Sequence, residues 1–101
     1  MVAEVQPSEL RARITAGEAV FVLDVREPEE VAAQAFPGAH HIPLADLGDR
    51  TGELPLEGAI VVVCHAGVRS AVAAEALTRA GWPSASLAGG IAAWAGEEQP
   101  G

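Results

Sequence analysis

Lysine is missing from this 101-residue chain, and all six basic residues are arginines: Arg11, Arg13, Arg26, Arg50, Arg69 and Arg79. Against fourteen Asp and Glu this leaves a formal net charge of −8. Such a charge repels nucleic acid and anionic membrane surfaces, and neither is expected as a partner. Cysteine is nearly absent as well. The single Cys64 excludes an internal disulfide and any two-cysteine redox motif, and it suits a reducing compartment. No apolar run is long enough to span a bilayer. The start, Met1-Val2-Ala3-Glu4-Val5, lacks the basic residues and long apolar core of a secretory signal, so a cytoplasmic location is expected. Repeats, low-complexity tracts and dividing linkers are also lacking, and residues 1–101 read as one domain.

What is present is a half-hydrophobic chain in which strand-like and helix-like segments alternate. Ala3-Val5 reads as a short first strand. A helix follows from Pro7-Ser8, with Ser8 as N-cap, Leu10 and Ile14 facing inward, and Gly17 ending it. Val20-Phe21-Val22-Leu23 closes in Asp24 and has the continuous apolar pattern of a strand buried on both faces. Glu27-Pro28-Glu29-Glu30 opens the next helix, with proline in its first turn and acids facing its positive end. Phe36-Pro37-Gly38-Ala39 reads as a turn, His40-His41-Ile42 as a short strand stopped by Pro43, and Leu44 to Leu47 as a small helix. An acidic surface stretch from Asp49 to Gly58 leads into the strand Ala59-Ile60-Val61-Val62-Val63. A helix from about Arg69 to Ala80 comes next, with Val72, Ala73, Ala76, Leu77 and Ala80 on one face and Glu75 paired to Arg79. Ser84 to Leu87 is a last strand, Gly89-Gly90 a turn, Ile91 to Trp94 a closing helix, and 97–101 a frayed tail. This alternation predicts an α/β fold with a parallel central sheet and helices on both faces, and with ligands bound beyond the carboxyl ends of the strands.

Asp24, Arg26 and Cys64 all fall at those ends. Cys64 lies between a buried strand and a helix N-terminus, where backbone N–H groups and the helix dipole favour a thiolate. Gly67 lets the loop curl and aim successive N–H groups at one spot. Arg69 adds positive charge, Ser70 is expected to cap the helix, and His65 adds hydrogen bonds or charge beside the thiol. On an acidic protein this is the one segment that clearly offers an anionic substrate a local positive site.

Cys64-His65-Ala66-Gly67-Val68-Arg69-Ser70 resembles the active-site loop of the rhodanese homology domain. Asp24-Val25-Arg26-Glu27-Pro28-Glu29-Glu30, Phe36 through Leu44, and Leu87-Ala88-Gly89-Gly90-Ile91-Ala92-Ala93-Trp94 resemble further segments of that family in its order and spacing. The resemblance implies a rhodanese-like sulfurtransferase in which Cys64 takes a sulfane sulfur from thiosulfate or a related donor and becomes a persulfide. A thiol, small or carried on a protein, or cyanide would then accept that sulfur. His65, Ala66, Gly67, Val68, Arg69 and Ser70 would form the substrate-binding cradle, with no metal and no organic cofactor. A monomer is expected. Phosphatase relatives place one more residue between the cysteine and the arginine than the four found here, which disfavours phosphate chemistry. This chain departs from the family in Ala35, where many members have histidine, and in His65, where many thiosulfate users have a basic residue.

Two rival functions stand beside this one. The first is a non-catalytic rhodanese-like module that binds a partner protein, a class that often loses the cysteine or distorts the loop, where this chain has lost neither. The second is a carrier that takes persulfide from another protein and passes it to a biosynthetic pathway. His40 and His41 lack metal-ligand spacing and read as structural. Asp24 and Arg26 read as ties between strand ends and loops, and Trp82 and Trp94 as packing residues.

Overall fold

A computed structural model describes residues 2–98 of the chain. Its frame is a five-stranded sheet in the order β1-β5-β4-β2-β3, with every pair of neighbours parallel. The strands are β1 (Ala3–Val5), β2 (Val20–Asp24), β3 (His40–His41), β4 (Ala59–Val63) and β5 (Ser84–Leu87). β2 and β4 run in register from Val20 opposite Ala59 to Asp24 opposite Val63. The carboxyl ends of these two strands therefore lie side by side, and Cys64 emerges next to Asp24.

Alternation along β2 and β4 builds two cores. Leu23, Ile60 and Val62 point to one face, where they meet Ile42, Leu47, Ala73, Ala74 and Leu77. Val22, Val61 and Val63 point to the other, where they meet Leu10, Phe36, Ile91 and Trp94. Side chains such as Leu10, Leu23 and Ile42, at 0% exposure, each contribute roughly 1.5–3 kcal/mol through burial. The first face is covered by α3 (Val68–Arg79) and a 3-10 turn at Leu44–Asp49, the second by α1 (Pro7–Thr15) and α4 (Gly90–Glu98). The short α2 (Pro28–Ala33) has no buried residue and lies after the end of β2. The expected parallel α/β architecture is the observed one. Among the described residues no helix is long and apolar enough to cross a membrane.

Four local expectations are corrected. Pro7 is itself the first helical residue of α1, so Gln6, not Ser8, occupies the cap position, and it makes no side-chain cap bond. Ile14 is 45% exposed; the buried residues of that helix are Pro7 and Leu10. The buried stripe of α3 is Ser70, Ala73, Ala74 and Leu77, an i, i+3, i+4, i+7 set. Val72, Ala76 and Ala80 are rotated away and line a groove shared with Leu44 and Leu47. That stripe places Ser70 inward, against the thiol. Finally, α4 continues past Trp94 to Glu98; residues 99–101 of the expected frayed tail lie outside the described residues.

Candidate active site

The cysteine loop begins where β4 stops, and three glycines shape it. Gly67 adopts φ +96° and caps α3, turning the chain so that its own N–H donates to Cys64 Sγ at 3.1 Å. The Ser70 N–H donates to the same sulfur at 3.3 Å. Gly89 and Gly90, at φ +72° and +65°, bring the start of α4 against the opposite side of the loop. There the Ile91 N–H donates to the Cys64 carbonyl at 2.8 Å and the Ala92 N–H to the His65 carbonyl at 3.0 Å. These first-turn N–H groups have no partner within their own helix, and binding the loop satisfies them. The contact is so close that a Cβ on Gly90 would sit 2.4 Å from the His65 oxygen.

Cys64 is 1% exposed. Burial pushes its thiol up, but the Ser70 hydroxyl and the N–H groups of Ser70, Gly67 and Arg69 outweigh it, and the net direction is down. The hydroxyl lies 3.4 Å from Sγ and 2.7 Å from Ser86 Oγ on β5. Ser70 therefore does not cap α3 as expected; it stands at the third helical position and joins the thiol to Ser86. When the thiol ionises, the Ser70 hydroxyl can donate to Sγ while Ser86 donates to Ser70.

Arg69 does not present a free charge to the loop. Its two terminal nitrogens donate to the two carboxylate oxygens of Glu30 at 2.6 and 2.9 Å, each side chain about one-third exposed. The Arg69 hydrogen bond holds Glu30 well down, from 4.5 to about 2, helped by the Glu27 N–H. The same pairing raises Arg69 further above its ordinary range. Arg26 fixes α2 in the position this requires. Buried at 3% exposure beside Asp24 at 1%, its guanidinium binds that carboxylate at 2.8–3.1 Å. It also donates to the carbonyls of Gln34 at 2.7 Å and Glu30 at 3.4 Å.

His65, Ala66 and Val68 are exposed around the mouth, and Gly67 is half-buried. His40 and His41 lie elsewhere: His40 meets Glu53 at 2.6 Å, and His41 Nε2 donates to the Arg26 carbonyl at 2.7 Å. No three His, Cys, Asp or Glu side chains among the described residues are grouped to hold a metal ion. Glu30 and Ser86 are the site residues that the sequence reading missed. Ser86 is legible in retrospect as a polar residue in a central strand. Glu30 carries no such signal, because an acid in the first turn of a helix is accounted for by the helix alone.

A parallel α/β sheet carries one buried thiol at the end of its central strand, with the N–H groups of Gly67 and Ser70 directed at its sulfur. The comparisons then give the family. Residues 6–97 match the model of the rhodanese-like domain. The Bacillus subtilis protein YtwF is 34% identical over 97 residues, covering 96% of this chain and 94% of its own length. The Allochromatium vinosum protein named "Sulfurtransferase" is also 34% identical, over 94% of this chain and 90% of its own. The crystal structure of a rhodanese-related protein from Thermoplasma volcanium superposes with a TM-score of 0.87 at 32% identity, over 97% and 95% of the two chains. This chain belongs to the rhodanese-like domain family.

Proposed function

We propose that the protein is a sulfurtransferase that carries sulfur as a persulfide on Cys64. The observation that carries this reading is the thiol itself: buried, lowered in pKa, and held by the Gly67 and Ser70 N–H groups in a four-residue loop. The thiolate attacks the sulfane sulfur of a small sulfur anion such as thiosulfate. An S–S bond forms on Sγ, the bond to the sulfite group breaks, and sulfite leaves with the electron pair. A thiolate or cyanide then attacks the terminal sulfur, forming a new persulfide or thiocyanate and returning the Cys64 thiolate. The loop N–H groups bind the negative sulfur in each state, with His65, Ala66, Val68 and Arg69 at the mouth. The expected setting is a monomer in the cytoplasm, with small thiols or a thiol-bearing protein as acceptor.

One observation favours a second reading, a carrier loaded by a partner protein's persulfide: Arg69 is already paired with Glu30. Intact-protein mass after thiosulfate, and again after cyanide, tests the main reading. A gain of one sulfur atom on Cys64, removed by cyanide with release of thiocyanate and absent in Cys64→Ser, is the expected result. Loading by a protein persulfide alone would select the carrier. A Cys64→Ser variant that still transfers sulfur would overturn both.

A further inference from the structure

The charges around the loop nearly cancel, which is unusual ground for binding an anion. Arg69 is spent on Glu30 and Arg26 on Asp24. Glu27 lies within electrostatic reach of Arg69 with no cation paired to it among the described residues. His65 is the remaining titratable side chain of the loop, exposed at its mouth. We infer that Glu30 biases this site against doubly charged donors: by holding both terminal nitrogens of Arg69, it makes the loop select singly charged sulfane donors, of the thiosulfonate and persulfide class, over a dianion such as thiosulfate. The inference rests on the sulfurtransferase reading above and adds to it a specificity-determining position. Glu30 acts through Arg69 and is a positioning residue.

The physical basis is a difference of one charge. Arg69 directly precedes Ser70, whose N–H donates to Cys64 Sγ at 3.3 Å, so a donor approaching Sγ comes up beside the residue that holds Glu30. With Glu30 ionised, that donor meets a neutral ion pair rather than a cation. Removing the carboxylate charge helps every anion, but it helps a dianion twice as much as a monoanion. Any accompanying change in the Cys64 thiol acts equally on both donors and cancels in their ratio.

Thiosulfate and methanethiosulfonate offer the same sulfane sulfur on leaving groups that differ by one charge, sulfite against methanesulfinate. The experiment measures the rate constant for persulfide formation on Cys64 with each, by intact mass, in the wild-type chain, Glu30→Gln and Glu30→Asp. The thiosulfate-to-methanethiosulfonate ratio is expected to rise about three- to tenfold in Glu30→Gln, less at high salt, the effect of one elementary charge across a partly screened site. Glu30→Asp keeps the charge and should keep the wild-type ratio. An unchanged ratio in Glu30→Gln, or an equal rise in Glu30→Asp, overturns the inference while leaving the sulfurtransferase reading in place. Failure of both donors to load the wild-type chain overturns that reading, and the inference with it.

Discussion

Ser70 shows how much of the site chemistry rests on single atoms. Its N–H and its hydroxyl both address Cys64 Sγ, and the hydroxyl is tied in turn to Ser86. Ser70→Ala keeps the N–H but removes the group that contributes most against burial in lowering the thiol. The pH midpoint of Cys64 alkylation by iodoacetamide is therefore expected to move up. It should move less in Ser86→Ala, where Ser70 keeps its hydroxyl. The Ser86 hydroxyl, at 0% exposure, would lose its partner in Ser70→Ala, costing about 1–3 kcal/mol in thermal unfolding. Cys64 and Gly67 were legible in the sequence because strand end, glycine and helix start lie within a few residues of one another. The role of Ser70 was not, because its partner Ser86 comes from a strand sixteen residues further on. Asp24 and Arg26 were legible as a tie, and the structure makes them a buried one; cutting either side of such a pair costs roughly 3–5 kcal/mol.

Among the elements, α4 matters for where it starts. Its N-terminus holds the carbonyls of Cys64 and His65, and Gly90 is the hinge that permits the approach. Gly90→Ala would place a methyl 2.4–2.5 Å from those two carbonyl oxygens at φ +65°. Strain and overpacking together are expected to cost roughly 3 kcal/mol or more. Gly96→Ala, in the same helix with nothing within 4 Å, should instead stabilise by up to about 1 kcal/mol through helix propensity. Denaturant unfolding of the two variants checks the contrast; equal effects would refute the role given to Gly90. The inner strands β2 and β4 were readable because continuous apolar runs of four or five residues suit a sheet covered on both faces. The facing of α3 was not. An alanine-rich helix has several nearly equivalent apolar stripes, and the sheet selected the one carrying Ser70.

At the scale of the molecule, pH acts through the balance of fourteen acids against six arginines and three histidines. Arg69 holds Glu30, and Arg50 with His40 holds Glu53, each lowered from 4.5 to about 2. A carboxylate depressed in the folded state stabilises fully above its unfolded pKa, and that contribution is lost as pH falls through the folded one. Both pairs should therefore be intact above about pH 4.5 and fade toward pH 2, where the cations are also left without opposite charge. The thermal midpoint is expected to hold down to about pH 5 and then fall. Glu30→Gln should fall less steeply; an identical profile would show that the pair with Arg69 contributes nothing. The parallel α/β order, the cysteine loop and the glycines that shape it follow from the amino-acid order alone, because turns, caps and apolar periods are set by residues close along the chain. Tertiary structure alone decided which hydroxyl serves the thiol and which acid cancels Arg69. Those partners lie sixteen and thirty-nine residues away, and only the packing of the helices on the sheet brings them within bonding distance.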